Sequence, residues 1–274
     1  MQPIGSFKLR GAYNAARRAD PELVAAGLVT ASAGNMAQGV AWAAKELGVP
    51  CTVTVPDYAP ETKVAAMERL GARVVKAPFD EWWNAIEESR VEGVGGFFLH
   101  PVENEQVMAG NGTIGLEILE DLPAPDIVLI PFGGGGLTTG IASAIKAERS
   151  EVKIYAVEQE TAAPLNATLE AGSMQAIEYR QSFVDGAGAK ALLPKMWGLV
   201  EPLIDGAYRV SLDEVASAIR LLAERARVIA EGAGALALAV ALSGRAGRGK
   251  IVCIVSGGNI DFSVLTAILG GRTP

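Results

Sequence analysis

The chain has 274 residues, 50% of them hydrophobic and 20% charged, enough to bury a sizeable core and without the bias of a disordered polymer. Its net charge of -7, with Lys and Arg scattered among acids, argues against a nucleic-acid or anionic-membrane surface, which needs clustered positive charge, and leaves small molecules as the expected partners. The N-terminus lacks the basic and apolar regions of a signal peptide and no apolar stretch is long enough to span a bilayer, so a cytoplasmic location is expected.

In chain order, Phe7 to about Arg18 reads as a helix with no strand ahead of it. From Gly27 onward short β-rich runs alternate with helical patterns: strand Leu28–Ala31, helix Asn35–Leu47, strand Cys51–Val55, helix Thr62–Leu70, then strands Arg73–Lys76 and Phe97–Leu99. The rhythm continues with helix Val107–Glu120, strand Ile127–Pro131, helix Leu137–Ala147 and strands Lys153–Val157 and Tyr208–Val210. Helices Leu212–Arg225 and Ala233–Leu242 and strand Ile251–Val255 complete it. This is the pattern of an α/β protein with a parallel sheet covered by helices. No repeat or Pro/Gly/Ser linker marks a boundary, so a second domain would be an insertion. Cys51 and Cys253 lie in apolar strand-like runs and read as buried core thiols rather than a disulfide.

Four glycines, Gly133 to Gly136, follow the apolar run Asp126–Phe132 and open a helical pattern at Leu137. No Cβ blocks the backbone N–H groups there, and the helix dipole favours negative charge, so the loop reads as a phosphate cradle. It is no P-loop, since no Gly-Lys-Ser/Thr follows, and Thr138 and Thr139 occupy the places where a dinucleotide fingerprint needs its last glycine. A literal Gly-x-Gly-x-x-Gly at Gly110–Gly115 follows a helix-like segment instead of a strand and reads as a decoy. The turn Thr30-Ala-Ser32-Ala-Gly34-Asn35 can offer amide groups to a carboxylate, or can be an ordinary N-cap by Ser32 or Asn35. Val255-Ser256-Gly257-Gly258-Asn259 repeats the pattern near the C-terminus. Lys8 sits between an aromatic residue and a helix start, where the dipole and burial disfavour the charged amine and leave more nucleophilic free base; a surface lysine on a first turn is the plain alternative. The single histidine, His100, and the pair Trp82-Trp83 read as structural.

Taken together and in order, Ser-Phe-Lys-Leu-Arg-Gly-Ala, Ser-Ala-Gly-Asn-x-Ala-Gln-Gly, Ala-Gly-x-Gly-Thr-Ile-Gly-x-Glu, the Gly-Gly-Gly-Gly-Leu loop, Glu-Gly-Ala-Gly-Ala and Ser-Gly-Gly-Asn resemble the serine/threonine dehydratases and serine racemases of the tryptophan-synthase-β fold type. The resemblance spans nearly the whole chain. It implies a pyridoxal-phosphate enzyme of fold type II, with two three-layer α/β domains and mostly parallel sheets: residues 1–29 and 108–274 as the large cofactor-binding domain, 30–107 as a small inserted domain on the substrate side. It makes Lys8 the catalytic Schiff-base lysine, Phe7 the residue packed on the cofactor ring and Asn35 the partner of the ring hydroxyl. Gly133, Gly134, Gly135, Gly136 and Leu137 would bind the phosphate, and Ser256 would face the pyridine nitrogen. Ser32, Ala33, Gly34, Asn35 and Met36 would grip the substrate carboxylate, and Glu231 would lie near the ring.

The implied reaction is loss of ammonia from L-threonine or L-serine to give a 2-oxo acid, in a homo-oligomer (dimer or tetramer). A serine racemase, a hydroxyaspartate ammonia-lyase and a weakly active or inactive cofactor-binding homologue are the alternatives. Three departures stand out. Met36 replaces the family's common His. An acid ahead of Asp185-Gly186, Glu178, is out of clear register with the family's cation site, and no metal is assigned. Only seven residues precede Lys8, so N-terminal elements of the large domain are expected to be missing; no regulatory domain follows Ser-Gly-Gly-Asn, and feedback control is not expected.

Overall fold

Residues 2–59 and 61–274 are described by the computed structural model, in which strand and helix alternate as the sequence leads one to expect. Two compact units divide the chain, the first ending at Asn111 and the second comprising Gly112–Pro274.

The first unit contains α1 (Lys8–Arg18), α2 (Pro21–Ala26), β1 (Leu28–Ala31), α3 (Asn35–Leu47), β2 (Cys51–Pro56), α4 (Glu61–Arg69), β3 (Arg73–Ala77), α5 (Phe79–Glu87) and β4 (Phe97–Phe98). Its four strands form a parallel sheet in the order β3-β2-β1-β4, with Leu28 opposite both Cys51 and Phe97. Every residue of the inner strand β1 is buried, as a parallel strand covered on both faces requires, while the edge strand β3 is largely uncovered. Small residues let helices approach: Ala12, Ala15 and Ala16 of α1 are buried in the core shared with Ala37, Val40, Ala41 and Ala44 of α3. A Cβ at Gly39 would stand 3.0 Å from the Lys8 carbonyl, so the start of α1 lies directly on α3.

α6 (Glu105–Asp121) contains the division between the units. The Gly-x-Gly-x-x-Gly run lies wholly inside this helix, and its glycines serve packing: a Cβ at Gly110 would meet the Arg10 carbonyl at 2.5 Å, and one at Gly115 the Ile141 carbonyl at 2.8 Å.

Within the second unit are β5 (Ile127–Pro131), α7 (Gly136–Glu148), β6 (Lys153–Gln159), α8 (Pro164–Ala171), α9 (Pro194–Val200), β7 (Gly206–Val210), α10 (Leu212–Leu221), α11 (Gly232–Leu242), β8 (Ile251–Cys253) and α12 (Phe262–Leu269). Its sheet, again parallel, has the order β7-β6-β5-β8. β5 is buried along its length, and Leu129, Val157, Ile219, Leu236 and Val240 share one core. α10 starts with a capping box, Ser211 and Glu214 exchanging side-chain and backbone bonds. It stops at Leu221, earlier than its apolar pattern predicts, because the chain widens into a π turn over Leu222–Ala226 that ends at Arg227 with φ 58°. β8 is likewise shorter than expected. Both cysteines are free thiols; Cys51 is buried, but Cys253, on the edge strand β8, is only half-buried. Among the described residues no helix is long and apolar enough to cross a membrane.

Candidate active site

The residues singled out by sequence fall into two groups, one in each unit. In the first unit, Phe7 is the N-cap of α1 and Lys8 its first residue. The Lys8 ammonium nitrogen lies 5.1 Å from the centre of the Phe7 ring, within cation–π range, and both side chains are half-buried. Just ahead of them the Ser6 hydroxyl is buried and has no hydrogen-bond partner among the described residues.

The turn from β1 to α3 resolves the choice between an ordinary side-chain cap and an open helix start. The N-cap of α3 is Gly34, which has no side chain to bond the first-turn amides; Asn35 is already helical, and Ser32 Oγ accepts from Gly34 N–H at 3.3 Å within the turn. Met36 is buried, with Ser32, Ala33, Gly34 and Asn35 half-buried around it. The approach of Lys8 to Gly39, one turn into α3, brings the lysine's backbone beside this helix start.

In the second unit the glycine loop leaves the C-terminal end of β5, the end of a parallel strand at which α/β sheets bind ligands. Gly135 caps α7 with φ 93°, a conformation that glycine adopts without strain, and no side chain caps the helix. In the first turn beyond, the hydroxyls of Thr138 and Thr139 are buried and without a hydrogen-bond partner among the described residues. Gly133 faces the Gly186–Gly188 segment, where a Cβ would lie 3.3 Å from Ala187 Cα.

Ser256 is buried in the loop that follows the edge strand β8. Its neighbour Gly257 accepts the Glu231 N–H at 3.0 Å and lies so close to Gly234 of α11 that a Cβ there would strike the Gly257 carbonyl. Glu231, the N-cap of α11, is buried, with its carboxylate 3.6 Å from a Cβ position at Gly186. The Gly133 loop, the 186–188 segment, Glu231 and the Ser256 turn therefore form a connected set of contacts.

These features fit pyridoxal phosphate. The donors about the glycine loop are neutral N–H and O–H groups at a helix start, which is what a phosphate dianion needs, and orphaned hydroxyls at Thr138 and Thr139 would otherwise carry a desolvation cost with no return. Ser256 is a neutral polar group of the kind that a pyridine nitrogen accepts.

Sequence reasoning missed the residue at the centre of this unit's polar network. Gln159, last in β6, is buried and donates from Nε2 to the Val184 and Ala187 carbonyls at 2.8 and 2.6 Å. Its Oε1 accepts from Thr161 Oγ1 at 2.8 Å and from the Ser182 hydroxyl. Nothing local in the sequence announces it, because its partners reach up to 28 residues downstream. Beside it, the buried Glu158 carboxylate accepts Leu165 N–H at 3.0 Å and Asn166 N–H and Nδ2 at 2.8 Å each, capping α8. Burial outweighs these bonds and pushes its pKa up to about 7.

His100 is structural: its Nδ1 accepts the N–H groups of Val102 and Glu103 at 3.1 and 2.8 Å. Trp82 and Trp83 lie on α5, clustered with Phe79. Glu178 and Asp185 join no group of three or more potential ligands that could hold a metal among the described residues.

Comparison with known proteins gives a single consistent likeness. The family model for pyridoxal-phosphate dependent enzymes matches residues 1–257. L-threonine ammonia-lyase of Thermotoga maritima is 42% identical over 272 residues, 98% of this chain and 68% of that protein. Among solved structures, the processed form of threonine deaminase isoform 2 from Solanum lycopersicum superposes with a TM-score of 0.89 at 36% identity, covering 98% of this chain and 80% of the other. Maize serine racemase does so at 0.87 and 32%, over 98% and 84%. The parallel two-sheet architecture is thus that of fold type II.

Proposed function

The chain belongs to the family of pyridoxal-phosphate dependent enzymes, and on that premise we propose that it removes ammonia from L-threonine or L-serine, giving 2-oxobutanoate or pyruvate. The observation that carries this reading is the placement of Lys8 at the first position of α1, with its backbone against the first turns of α3, whose uncapped start is the proposed carboxylate grip.

When bound, pyridoxal phosphate supplies the electron sink that stabilises negative charge at the substrate Cα. Lys8 Nζ would hold the cofactor covalently, and it is the group placed to take the proton from the substrate Cα as general base. N–H groups of the turn Ser32-Ala33-Gly34-Asn35-Met36 receive the substrate carboxylate and orient the Cα–H bond toward Lys8. The amide of Asn35 would meet the cofactor's ring hydroxyl, and Phe7 would pack on the ring. Gly133, Gly134, Gly135, Gly136 and Leu137 would hold the phosphate through their N–H groups. Ser256 would offer a neutral hydroxyl to the ring nitrogen, and unlike a carboxylate it would not stabilise positive charge there, which would favour prompt departure of the β-hydroxyl over amino transfer.

In this reading residues 1–29 and 108–274 form the large cofactor-binding domain and 30–107 a small inserted domain on the substrate side, whereas by compactness the chain divides at Asn111. The enzyme is taken as a cytoplasmic homo-oligomer, a dimer or tetramer.

The test is steady-state formation of 2-oxo acid from L-threonine and L-serine by the protein loaded with pyridoxal phosphate. Cofactor bound without oxo acid from any small hydroxy-amino acid would leave a non-catalytic homologue. Replacing Lys8 with Ala removes the visible absorption band of the bound cofactor together with turnover while leaving the fold intact, because the lysine's role is covalent. Full activity in that variant would take Lys8 out of the site.

A further inference from the structure

Gln159 uses its side chain to the full. Both N–H bonds and both lone pairs of its amide are engaged, the N–H groups on the Val184 and Ala187 carbonyls and the oxygen on the hydroxyls of Thr161 and Ser182. Ser182 in turn accepts the Val184 N–H at 3.2 Å, so the strand end at Gln159 fastens the 182–187 segment at three points. That segment is otherwise irregular, and it forms one wall of the glycine loop: a Cβ at Gly133 would stand 3.3 Å from Ala187 Cα and 3.5 Å from Gly188 N. Gly188 is held just as closely, its Cβ position lying 3.1 Å from Gln159 Nε2. Phe132, which leads into the loop, donates its N–H to the Val157 carbonyl on the same strand as Gln159.

We propose that Gln159 is a positioning residue that clamps Val184–Gly188 against Gly133 and so fixes the glycine loop in the shape that receives the cofactor's phosphate. It acts through the loop and touches neither phosphate nor substrate. A carboxylate at this position would have nearly the same shape but no N–H to donate, and would set an anionic oxygen against two backbone carbonyls. The 182–188 segment would be driven off and the loop would lose its wall. The inference rests on the reading of Gly133–Leu137 as the phosphate site.

The experiment compares wild type, Gln159→Glu and the milder Ser182→Ala, which keeps the two carbonyl bonds but removes one hydroxyl. Two quantities are read: hydrogen exchange of the peptide spanning 182–188 in cofactor-free protein, and the ratio of affinities for pyridoxal phosphate and for pyridoxal, which lacks the phosphate. Expected in Gln159→Glu are faster exchange in that peptide and a fall of about tenfold in the ratio, which corresponds to about 1.4 kcal/mol of phosphate binding; Ser182→Ala moves both in the same direction by less. A residue that merely supports the fold would weaken both ligands alike and leave the ratio unchanged, and that result overturns the inference. If Gln159→Glu does not fold, an unchanged ratio and exchange rate in Ser182→Ala overturn it equally. Wild type that binds neither ligand defeats the proposed phosphate site itself, and the inference with it.

Discussion

Racemisation at Cα requires a second acid/base group on the face opposite the lysine, so that a proton can return with inverted configuration. The resemblance to serine racemases implies a second serine after the first in the Ser-x-Gly-Asn turn of a racemase; here that residue is Ala33, whose methyl group neither gives nor takes a proton. Chiral analysis of a reaction with L-serine is therefore expected to find pyruvate with at most a trace of D-serine, and Ala33→Ser to raise the racemised share. D-serine formed by wild type at a rate comparable to pyruvate would reverse the assignment. Elsewhere in the chain, burial holds the thiols of Cys51 and Cys253 at about 12 and 11, far above the range of a reactive thiolate. Buried Cys51 is expected to react with a thiol reagent at neutral pH only as fast as the protein opens, and half-buried Cys253 to react faster than Cys51. A residue's place in the fold was legible where a motif surrounds it, as with Lys8 at the start of α1. It was not where the partner lies far along the chain, as with Gln159 and the 182–187 segment, or where two small polar residues compete for one cap, as with Ser32 and Asn35, both displaced by Gly34.

The helix α8 owes its start to a side chain from the neighbouring strand, since its own N-cap, Ala163, makes no side-chain bond and Glu158 bonds the N–H groups of Leu165 and Asn166 instead. A carboxyl whose pKa is raised from 4.5 to about 7 by burial binds its proton more tightly in the folded chain than in the unfolded one. Stability from this group is greatest below about pH 4.5 and declines as pH rises through about 7, by at most about 3 kcal/mol. Glu158→Gln should flatten the dependence of the thermal midpoint on pH across that window; an unaltered slope would mean that Glu158 does not titrate there. Helices α2, α8 and α9 went unread in the sequence although each opens with proline at its first position, Pro21, Pro164 and Pro194. That residue fits the first helical turn, where an N–H would have no intrahelical partner. They are short, six to eight residues, and too brief for an apolar period to show.

On the scale of the whole molecule, the α/β class was legible because parallel strands covered on both faces must be largely apolar, and β5, together with β1 apart from Thr30, is so. Strand order was not, because register and neighbour are set by contacts remote in sequence; nothing local to Ile251 says that it pairs with Ile127. The glycines bear on how this protein could be made more robust. Replacing a helical glycine by alanine is a standard route to a sturdier protein, gaining roughly 0.5–1 kcal/mol where the site has room. Gly198 in α9 has open space around its Cβ position, and Gly198→Ala should raise the thermal midpoint. Gly112 and Gly115 look equally inviting on a helical wheel of α6, yet a methyl there would press on the carbonyls of Gly140 and Ile141 at 3.0 and 2.8 Å. Thermostability engineering guided by helix propensity alone would thus improve α9 and damage α6, and a screen of the three alanine variants by thermal melting would separate the vacant glycine from the two that hold helices together.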